Sequence, residues 1–345
     1  MLDRAFTDTL PFLCRPENIA RYDDGAVILL DRRCWPFEVR FETCRTLEDT
    51  ARAIENMVTQ SLGPGYAAAC GMVQAARAAK TLPGALRAEA LRQAARRLIA
   101  TRPTNHEIRE NVTGMLPELE RAALEGDPEA AALTLTDGIW QRRHEKSLSL
   151  GRYAAALIPD GAAILNHCWA ETTLVYTLHE ALAQGKKLEA YCTETRPYLQ
   201  GARLTASAIR DFGIPVTVIT DNMPAACMQR GKIGVFFSGT DRVTMDGHVI
   251  NKVGTLGIAL AAKHFGVPYY AFCYGPDRQA LTPADVRIEE RDPDETLYCR
   301  GVRTAAEGVR GYYPAFDVTP PELVTGLSTD RGVFPPDRAA AYFTE

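Results

Sequence analysis

Cysteine pairs and long apolar runs are scarce in this 345-residue sequence, and each shortage excludes a class of protein. Its nine cysteines are odd in number and scattered without a Cys-x-x-Cys pair, so neither a zinc site nor a disulfide framework is predicted. No run approaches the roughly 18 apolar residues that span a bilayer, and the acidic N-terminal residues lack the apolar core of a signal peptide. We therefore expect reduced thiols in a cytoplasmic protein without a bound metal.

A surplus of basic residues is also missing. The net charge is −4, with 46% hydrophobic and 24% charged residues, which is typical of a soluble globular protein. This charge predicts neither a nucleic-acid surface nor a basic membrane patch.

The length of the chain favours two domains. We predict a mainly helical N-terminal domain over residues 1–128 that carries a small antiparallel sheet, with strands at 26–30 and 37–41. A capping box at Thr46-Leu-Glu-Asp49 predicts a helix that stops near Leu62-Gly-Pro-Gly65, and further helices are predicted at 85–100 and 105–125. A second domain, 129–345, opens with a connecting helix at 129–158.

Apolar strands alternate with helices in the second domain. The predicted strands are 163–168, 188–192, 216–219, 234–237 and 269–273, and the helices between them are 171–184, 198–212, 222–230 and 254–265. This alternation predicts right-handed βαβ units in a Rossmann-like α/β fold with a mostly parallel, doubly wound sheet. No Gly-x-Gly-x-x-Gly follows the first strand, so no dinucleotide is expected. The tail from Asp292 is predicted to close over the sheet edge.

Polar residues follow successive strands of this sheet, where open α/β sheets bind ligands. Cys168 ends the first strand, Asp221 follows the third and Asp241 the fourth. A helix after Cys168 is a position that lowers a thiol pKa, although a buried structural cysteine is the commoner role. His167 faces away from Cys168 on the strand, so no Cys-His pair is predicted.

The stretch from Val235 to Thr255 offers an acid, an amide and a cation in Asp241, Asn251 and Lys252. An aspartate after Gly-Thr is more often a turn residue. A lysine at a helix start opposes the helix dipole, which an anionic ligand at the same place would explain.

Several blocks resemble the methylthioribose-1-phosphate isomerase family, which is related to the regulatory subunits of the translation initiation guanine-nucleotide exchange factor. The blocks are ETRPYLQGARLT at 194–205, ITDNM at 219–223, GTDR at 239–242, NKVGT at 251–255 and YPAFDVTP at 313–320. The resemblance implies a homodimer that isomerises an aldose 1-phosphate to a ketose 1-phosphate in methionine salvage, without a metal or redox cofactor. It also implies the site residues. Cys168 and Asp241 match the family's catalytic positions, and the substrate contacts fall on Arg102, Gln200, Asn251 and Lys252.

Two departures from the family pattern bear on the substrate. Where the family has Val-Arg-Gly-Ala-Pro-Ala-Ile-Gly, this chain has Val58-Thr-Gln-Ser-Leu-Gly-Pro-Gly65, so Thr59 replaces a phosphate-facing arginine and Gln60 and Ser61 follow it. A hydroxyl does not replace the charge of a guanidinium. The family's Asn-Ala-Gly after the catalytic cysteine is Trp169-Ala-Glu171 here.

Three functions stay open at this point. The first is isomerisation of a 5-substituted ribose 1-phosphate such as methylthioribose 1-phosphate. The second is isomerisation of another ribose derivative, 5-deoxyribose 1-phosphate or ribose 1,5-bisphosphate. The third is a non-catalytic regulatory subunit that binds a sugar phosphate or nucleotide.

Overall fold

The computed structural model describes residues 2–102 and 106–344, which divide into two compact units, 1–145 and 146–345. The first unit is mainly helical with a three-stranded antiparallel sheet. The sheet has the order β1 (Arg21–Asp23), β2 (Ala26–Leu30) and β3 (Phe41–Cys44). The helices are α1 (Arg4–Thr7), α2 (Pro16–Ile19), α3 (Leu47–Glu55), α4 (Gly63–Ala79), α5 (Gly84–Ala100), α6 (His106–Glu125) and α7 (Pro128–Ala156), and the division between the units falls in α7. The domain boundary at residue 128 stays a prediction.

Local chemistry explains what was right and wrong in this unit. The Thr46 capping box is present, with the Thr46 side chain accepting from the Asp49 N–H. Gly-Pro-Gly does not follow a helix directly but forms the first turn of α4, where Pro64 needs no N–H. The strand predicted at 37–41 is wrong, because the N–H groups of Phe37 and Glu38 donate to the Cys34 carbonyl in a turn.

The second unit is built on a seven-stranded sheet with the order β15-β14-β10-β7-β4-β5-β6. All neighbours are parallel except β15, which runs antiparallel to β14. Its strands are β4 (Ala163–His167), β5 (Glu189–Thr193), β6 (Val216–Ile219), β7 (Val235–Ser238), β10 (Tyr269–Phe272), β14 (Gly326–Thr329) and β15 (Gly332–Phe334). In chain order the six parallel strands read 3-2-1-4-5-6, the order of Rossmann folds. The predicted fold class is confirmed.

Helices and smaller strand pairs complete the unit. The helices are α8 (Thr172–Ala183), α9 (Ala206–Asp211), α10 (Pro224–Gln229) and α11 (Thr255–Phe265). A three-stranded sheet of β8 (Arg242–Val243), β9 (Val249–Lys252) and β13 (Phe316–Thr319) has the order β13-β9-β8, and β11 (Tyr298–Cys299) pairs with β12 (Val302–Arg303). Among the described residues, no helix is long and apolar enough to cross a membrane.

Alternation along the central strands places one apolar core on each face of the large sheet. Ile164 and Phe237 belong to one core, and Leu165 and Phe236 belong to the other. The sheet is therefore covered on both faces, as the doubly wound prediction requires.

Two predictions in this unit are wrong. The tail after Asp292 does not merely close over the sheet edge, because it supplies β13, β14 and β15. The placement of Lys252 at a helix start is also wrong, because the hairpin of β8 and β9 lies between β7 and α11. Asn251 and Lys252 consequently end a strand instead of starting a helix.

Candidate active site

The two predicted catalytic residues follow neighbouring strands at the point where the strand order reverses. From β4 the chain goes to β5 and β6 on one side, and from β7 it goes to β10 and β14 on the other. His167 and Ser238, the last residues of β4 and β7, are register partners. Cys168 therefore begins one loop and Gly239-Thr-Asp241 the other, side by side at the edge where such sheets bind ligands.

An unusual backbone conformation holds Cys168 in place. Its φ is +66°, and Thr195 and Glu171 also have positive φ, at +61° and +46°. The Cys168 N–H donates to Thr195 Oγ1 at 3.1 Å, and the Cys168 carbonyl accepts from Asn166 Nδ2 at 2.9 Å. Non-glycine residues in this region are strained and concentrate at functional sites.

Charges of both signs act on the Cys168 thiol. Burial raises its pKa to about 11, the Lys252 cation opposes the shift, and the Asp241 carboxylate adds to it. Because α8 begins only at Thr172, desolvation outweighs any lowering of this pKa by the helix start. At neutral pH Cys168 is therefore a protonated thiol.

Opposite effects on the thiol pKa are expected when these two neighbours lose their charge. Lys252→Met removes a cation and raises the pKa of Cys168, whereas Asp241→Asn removes an anion and lowers it. The measurement is the pH dependence of Cys168 alkylation by iodoacetamide, followed by peptide mass spectrometry. Shifts of the same sign in both variants would contradict the geometry.

Lys252 and Asn251 are held by the smaller sheet. Lys252 is buried, with Nζ 4.7 Å from the centre of the Phe316 ring and 5.7 Å from that of Tyr313. Aromatic faces stabilise a desolvated cation. Asn251 is also buried and donates through Nδ2 to Thr255 Oγ1 at 2.9 Å, so its carboxamide is fixed against the start of α11.

His167 is a buried neighbour with a positioning role. Its Nε2 lies 3.1 Å from the Val253 carbonyl, which only accepts, so Nε2 carries the proton and Nδ1 accepts from the Thr193 hydroxyl at 2.6 Å. Burial lowers the pKa of His167, and the ring is neutral at pH 7. It joins β4 to β5 and to the end of β9 without pairing with Cys168.

Gln200 lies beside the end of β5, directly before a single π-helical turn, Gly201–Thr205. Such turns are frequent at functional sites. A methyl group at Gly201 would lie 1.8 Å from the Thr193 carbonyl oxygen, so only glycine permits this approach. The buried Oε1 of Gln200 has no hydrogen-bond partner among the described residues.

Further buried polar atoms near Cys168 also have no hydrogen-bond partner within the described part of the chain. They are Asn166 Oδ1, Trp169 Nε1 and Thr172 Oγ1. Buried polar atoms are almost always hydrogen-bonded in folded proteins. Their concentration around one loop is suited to a small ligand rich in hydroxyl groups.

Asp317 is a functional candidate that the sequence analysis missed. Its Oδ2 accepts from the N–H groups of Gly254 at 2.7 Å and Leu256 at 3.1 Å, at the start of α11. Burial raises its pKa to about 6, against an ordinary value of 3.8. Its place in β13, opposite Asn251 on β9, links it to the site. The only sequence feature that could have indicated Asp317 is that it is an acid within the apolar block at 313–320.

The Asp317 shift predicts a pH-dependent stability. Because the folded-state pKa is raised, the folded protein binds more protons than the unfolded chain between about pH 4 and 6, so the free energy of unfolding falls as pH rises through that range. Between pH 4 and 7, the free energy of unfolding of the parent should fall on the order of 2 kcal/mol more than that of Asp317→Asn. Urea unfolding of both proteins measures this difference, and parallel pH profiles would contradict it.

The remaining predicted contacts lie in the first unit. Thr59 and Gln60 are buried, whereas Ser61 is exposed with φ of +57°. Arg102 is half-buried, and its Nη1 lies 3.4 Å from Met57 Sδ, at the start of the same loop. Pro103 and Thr104 of the Thr-Arg-Pro-Thr motif lie outside the described residues. The binding roles of these residues stay predictions.

Within residues 2–102 and 106–344, no group of three or more His, Cys, Asp or Glu side chains is arranged to hold a metal ion.

Known proteins resemble this chain over almost its whole length. The methylthioribose-1-phosphate isomerase of Chloroflexus aurantiacus is 39% identical over 334 residues, which cover 93% of this chain and 96% of that protein. The crystal structure of 5-methylthioribose 1-phosphate isomerase from Pyrococcus horikoshii OT3 has a TM-score of 0.87 at 30% identity, covering 100% of this chain and 99% of the other. The crystal structure of translation initiation factor eIF-2B, subunit delta, from A. fulgidus has a TM-score of 0.81 at 32% identity, covering 92% and 96%.

The fold and these isomerase relatives define an enzyme of the isomerase class. A family model described as the Initiation factor 2 subunit family matches residues 61–336. The chain belongs to that family.

Proposed function

We propose that this isomerase converts a 5-substituted ribose 1-phosphate, with methylthioribose 1-phosphate as its substrate, into the corresponding ribulose 1-phosphate. One observation carries the proposal. Cys168 and Asp241 follow the two strands at the switch point of the sheet, in a chain that resembles methylthioribose-1-phosphate isomerases over almost its whole length. A place in methionine salvage, a cytoplasmic location and a homodimeric state belong to the same proposal.

The reaction is an internal oxidation-reduction that needs no external electron acceptor. The bond between C1 and the ring oxygen breaks, and the ring oxygen gains a proton. A hydrogen passes from C2 to C1, either as a hydride or by way of an enediol, and the C2 hydroxyl loses its proton to become a ketone. One proton enters and one leaves, so the product is an isomer of the substrate.

Asp241 is proposed to be the general acid that handles these oxygen protons. It is exposed at the sheet edge, and its backbone N–H donates to the Ile250 carbonyl at 2.9 Å, which orients the loop. A positioned carboxyl group contributes typically 10²- to 10⁴-fold to such a step.

Cys168 is proposed to stabilise the charge that develops at C1 and C2. The raised pKa supports a protonated thiol as the resting form, with Lys252 favouring ionisation if Cys168 acts as a base. Gln200, Asn251 and Lys252 are proposed to bind the sugar hydroxyls. Arg102 and the loop of Thr59, Gln60 and Ser61 are proposed to recognise the phosphate.

A second isomerase substrate is favoured by one local feature. Trp169 is buried beside Cys168, and Glu171 is a fully buried acid with φ of +46° and ψ of −122°. A bulky ring and a buried acid beside the proposed catalytic thiol favour a group at C5 other than methylthio. 5-Deoxyribose 1-phosphate and ribose 1,5-bisphosphate are the candidates.

A panel of these three sugar phosphates tests both proposals. Ketone formation followed by ¹³C NMR should give the highest kcat/KM with methylthioribose 1-phosphate. A higher kcat/KM with 5-deoxyribose 1-phosphate or ribose 1,5-bisphosphate would identify that compound as the substrate instead. Absence of turnover with all three, together with saturable binding of a sugar phosphate, would support a regulatory subunit like the translation-factor relatives.

A further inference from the structure

A buried arginine lies beside the loop where Thr59 stands in place of a phosphate-facing arginine. Arg32 follows β2 and is among the largest fully buried side chains of the described residues. Its backbone N–H donates to the Val58 carbonyl at 2.9 Å, and its Nη1 donates to the Gln60 carbonyl at 2.6 Å. Arg32 therefore holds the backbone on both sides of Thr59.

The guanidinium and the Thr59 hydroxyl converge on the start of α4. A methyl group at Gly63 would lie 1.9 Å from Thr59 Oγ1 and 3.6 Å from Arg32 Nη1, so both groups occupy the space beside this glycine. α4 has 17 residues, and its N-terminus carries a partial positive charge. A hydroxyl, a guanidinium and a helix start are consequently adjacent.

Two polar side chains of this loop point to a ligand independently of the helix. Thr59 Oγ1 and Gln60 Nε2 belong to residues that are 0% and 4% exposed, and neither atom has a hydrogen-bond partner among the described residues. A hydroxyl and an amide N–H are both donors to an anion. The adjacent carboxylate of Asp31 is paired with Arg33 at 2.9 Å and with Arg40 at 2.8 Å.

We propose that Arg32 is the positioning residue that replaces the missing arginine at position 59, by supplying the guanidinium charge behind the Thr59–Ser61 loop and ordering that loop to bind a phosphate monoester. The proposal rests on the proposed function in taking a sugar phosphate as the ligand. Because Arg32 is fully buried, its charge acts through a low-dielectric interior, where electrostatic effects are larger than at the surface. Arg102 contacts Met57 at the start of the same loop.

The test removes the guanidinium from position 32 and then introduces one at position 59. In the full-length protein, Arg32→Gln should raise KM for methylthioribose 1-phosphate about 30-fold, as expected for loss of a charged hydrogen-bonding group, with kcat changed less than about threefold. Inhibition by inorganic phosphate should weaken by a similar factor. Adding Thr59→Arg to that variant should restore KM to within about fivefold of the parent, because the guanidinium returns to the loop.

Matched controls separate this role from a purely structural one. Arg33→Gln removes a neighbouring guanidinium and should leave KM unchanged within about twofold. The proposal is overturned if Arg32→Gln keeps the parent KM and phosphate inhibition, or if Thr59→Arg does not restore them. If Arg32→Gln does not fold, Arg32→Lys is tested in its place. A KM of Arg32→Lys that is raised about fivefold or more at constant kcat supports the proposal, and an unchanged KM overturns it.

Calorimetric titration with inorganic phosphate tests the role of Arg32 in phosphate binding separately from the proposed isomerase activity. A parent that binds phosphate and an Arg32→Gln variant that binds it at least about tenfold more weakly support the Arg32 role even if no sugar phosphate is turned over. Equal phosphate affinities contradict the Arg32 role even if the parent is an active isomerase.

Discussion

Replacing Cys168 by serine is expected to lower kcat by roughly 10³-fold while the protein remains folded. Serine preserves the size of the side chain and the backbone bonds of residue 168 to Thr195 and Asn166. A hydroxyl is less polarisable than a thiol and is harder to ionise, so it stabilises developing charge less well. Turnover of methylthioribose 1-phosphate measured by NMR, with circular dichroism as the folding check, gives the result.

Cys299→Ser is the matched control for that substitution. Cys299 is a free, half-buried cysteine in β11, which belongs to the two-stranded sheet and not to the large sheet. Its replacement should leave kcat unchanged within about twofold. A kcat for Cys168→Ser within about tenfold of the parent would remove Cys168 from the chemistry.

Replacing Asp241 by asparagine is expected to lower kcat by roughly 10² to 10³-fold with a smaller effect on KM. Asparagine is isosteric and keeps the backbone bond to Ile250, but it has no proton to donate to the ring oxygen. Steady-state kinetics across pH 5 to 9 measure the loss. A variant with parent-like kcat throughout this range would show that Asp241 does not transfer a proton.

Asp246→Asn serves as the control in the same hairpin. Asp246 lies between β8 and β9 and bonds to Thr244 and His248. Its replacement removes a carboxylate at the turn of the hairpin and leaves Asp241, Asn251 and Lys252 in place, so activity should be kept. A comparable loss in both variants would indicate disruption of the hairpin instead of loss of an acid.

The parallel core of the sheet could be predicted from sequence because its strands are continuous apolar runs with helices between them. β7, with Val235, Phe236 and Phe237, is such a run. β14 has the sequence Gly-Leu-Ser-Thr with one large apolar residue, so its composition resembles a turn. Only its pairing with β10 makes it a strand.

Some features of the candidate site could likewise be predicted from the sequence, and others depend on the fold. Cys168 and Asp241 could be predicted because each follows a strong strand, and the family blocks lie at the same places. Their proximity depends on the register of His167 with Ser238, which is a property of the sheet order and not of local sequence. The sequence leaves the direction of the thiol pKa shift open, because a helix start and burial act in opposite directions, and burial dominates in the fold.

Arg32 and Asp317 were missed for a related reason. Each lies far along the chain from the residues it contacts, Gln60 in one case and Gly254 with Leu256 in the other. A buried arginine after a strand resembles any charged turn residue until its partners are known. Long-range contacts of this kind carry no local periodic signal.

Protection of Cys168 from alkylation tests the central claim most directly, namely that a sugar 1-phosphate binds at the switch point between β4 and β7. The Asp241→Asn variant is treated with iodoacetamide with and without saturating methylthioribose 1-phosphate, and modification of Cys168 and Cys299 is quantified by peptide mass spectrometry. We predict that the ligand slows alkylation of Cys168 at least about tenfold and leaves Cys299 unaffected. Equal alkylation rates at Cys168 with and without the saturating ligand would contradict the site.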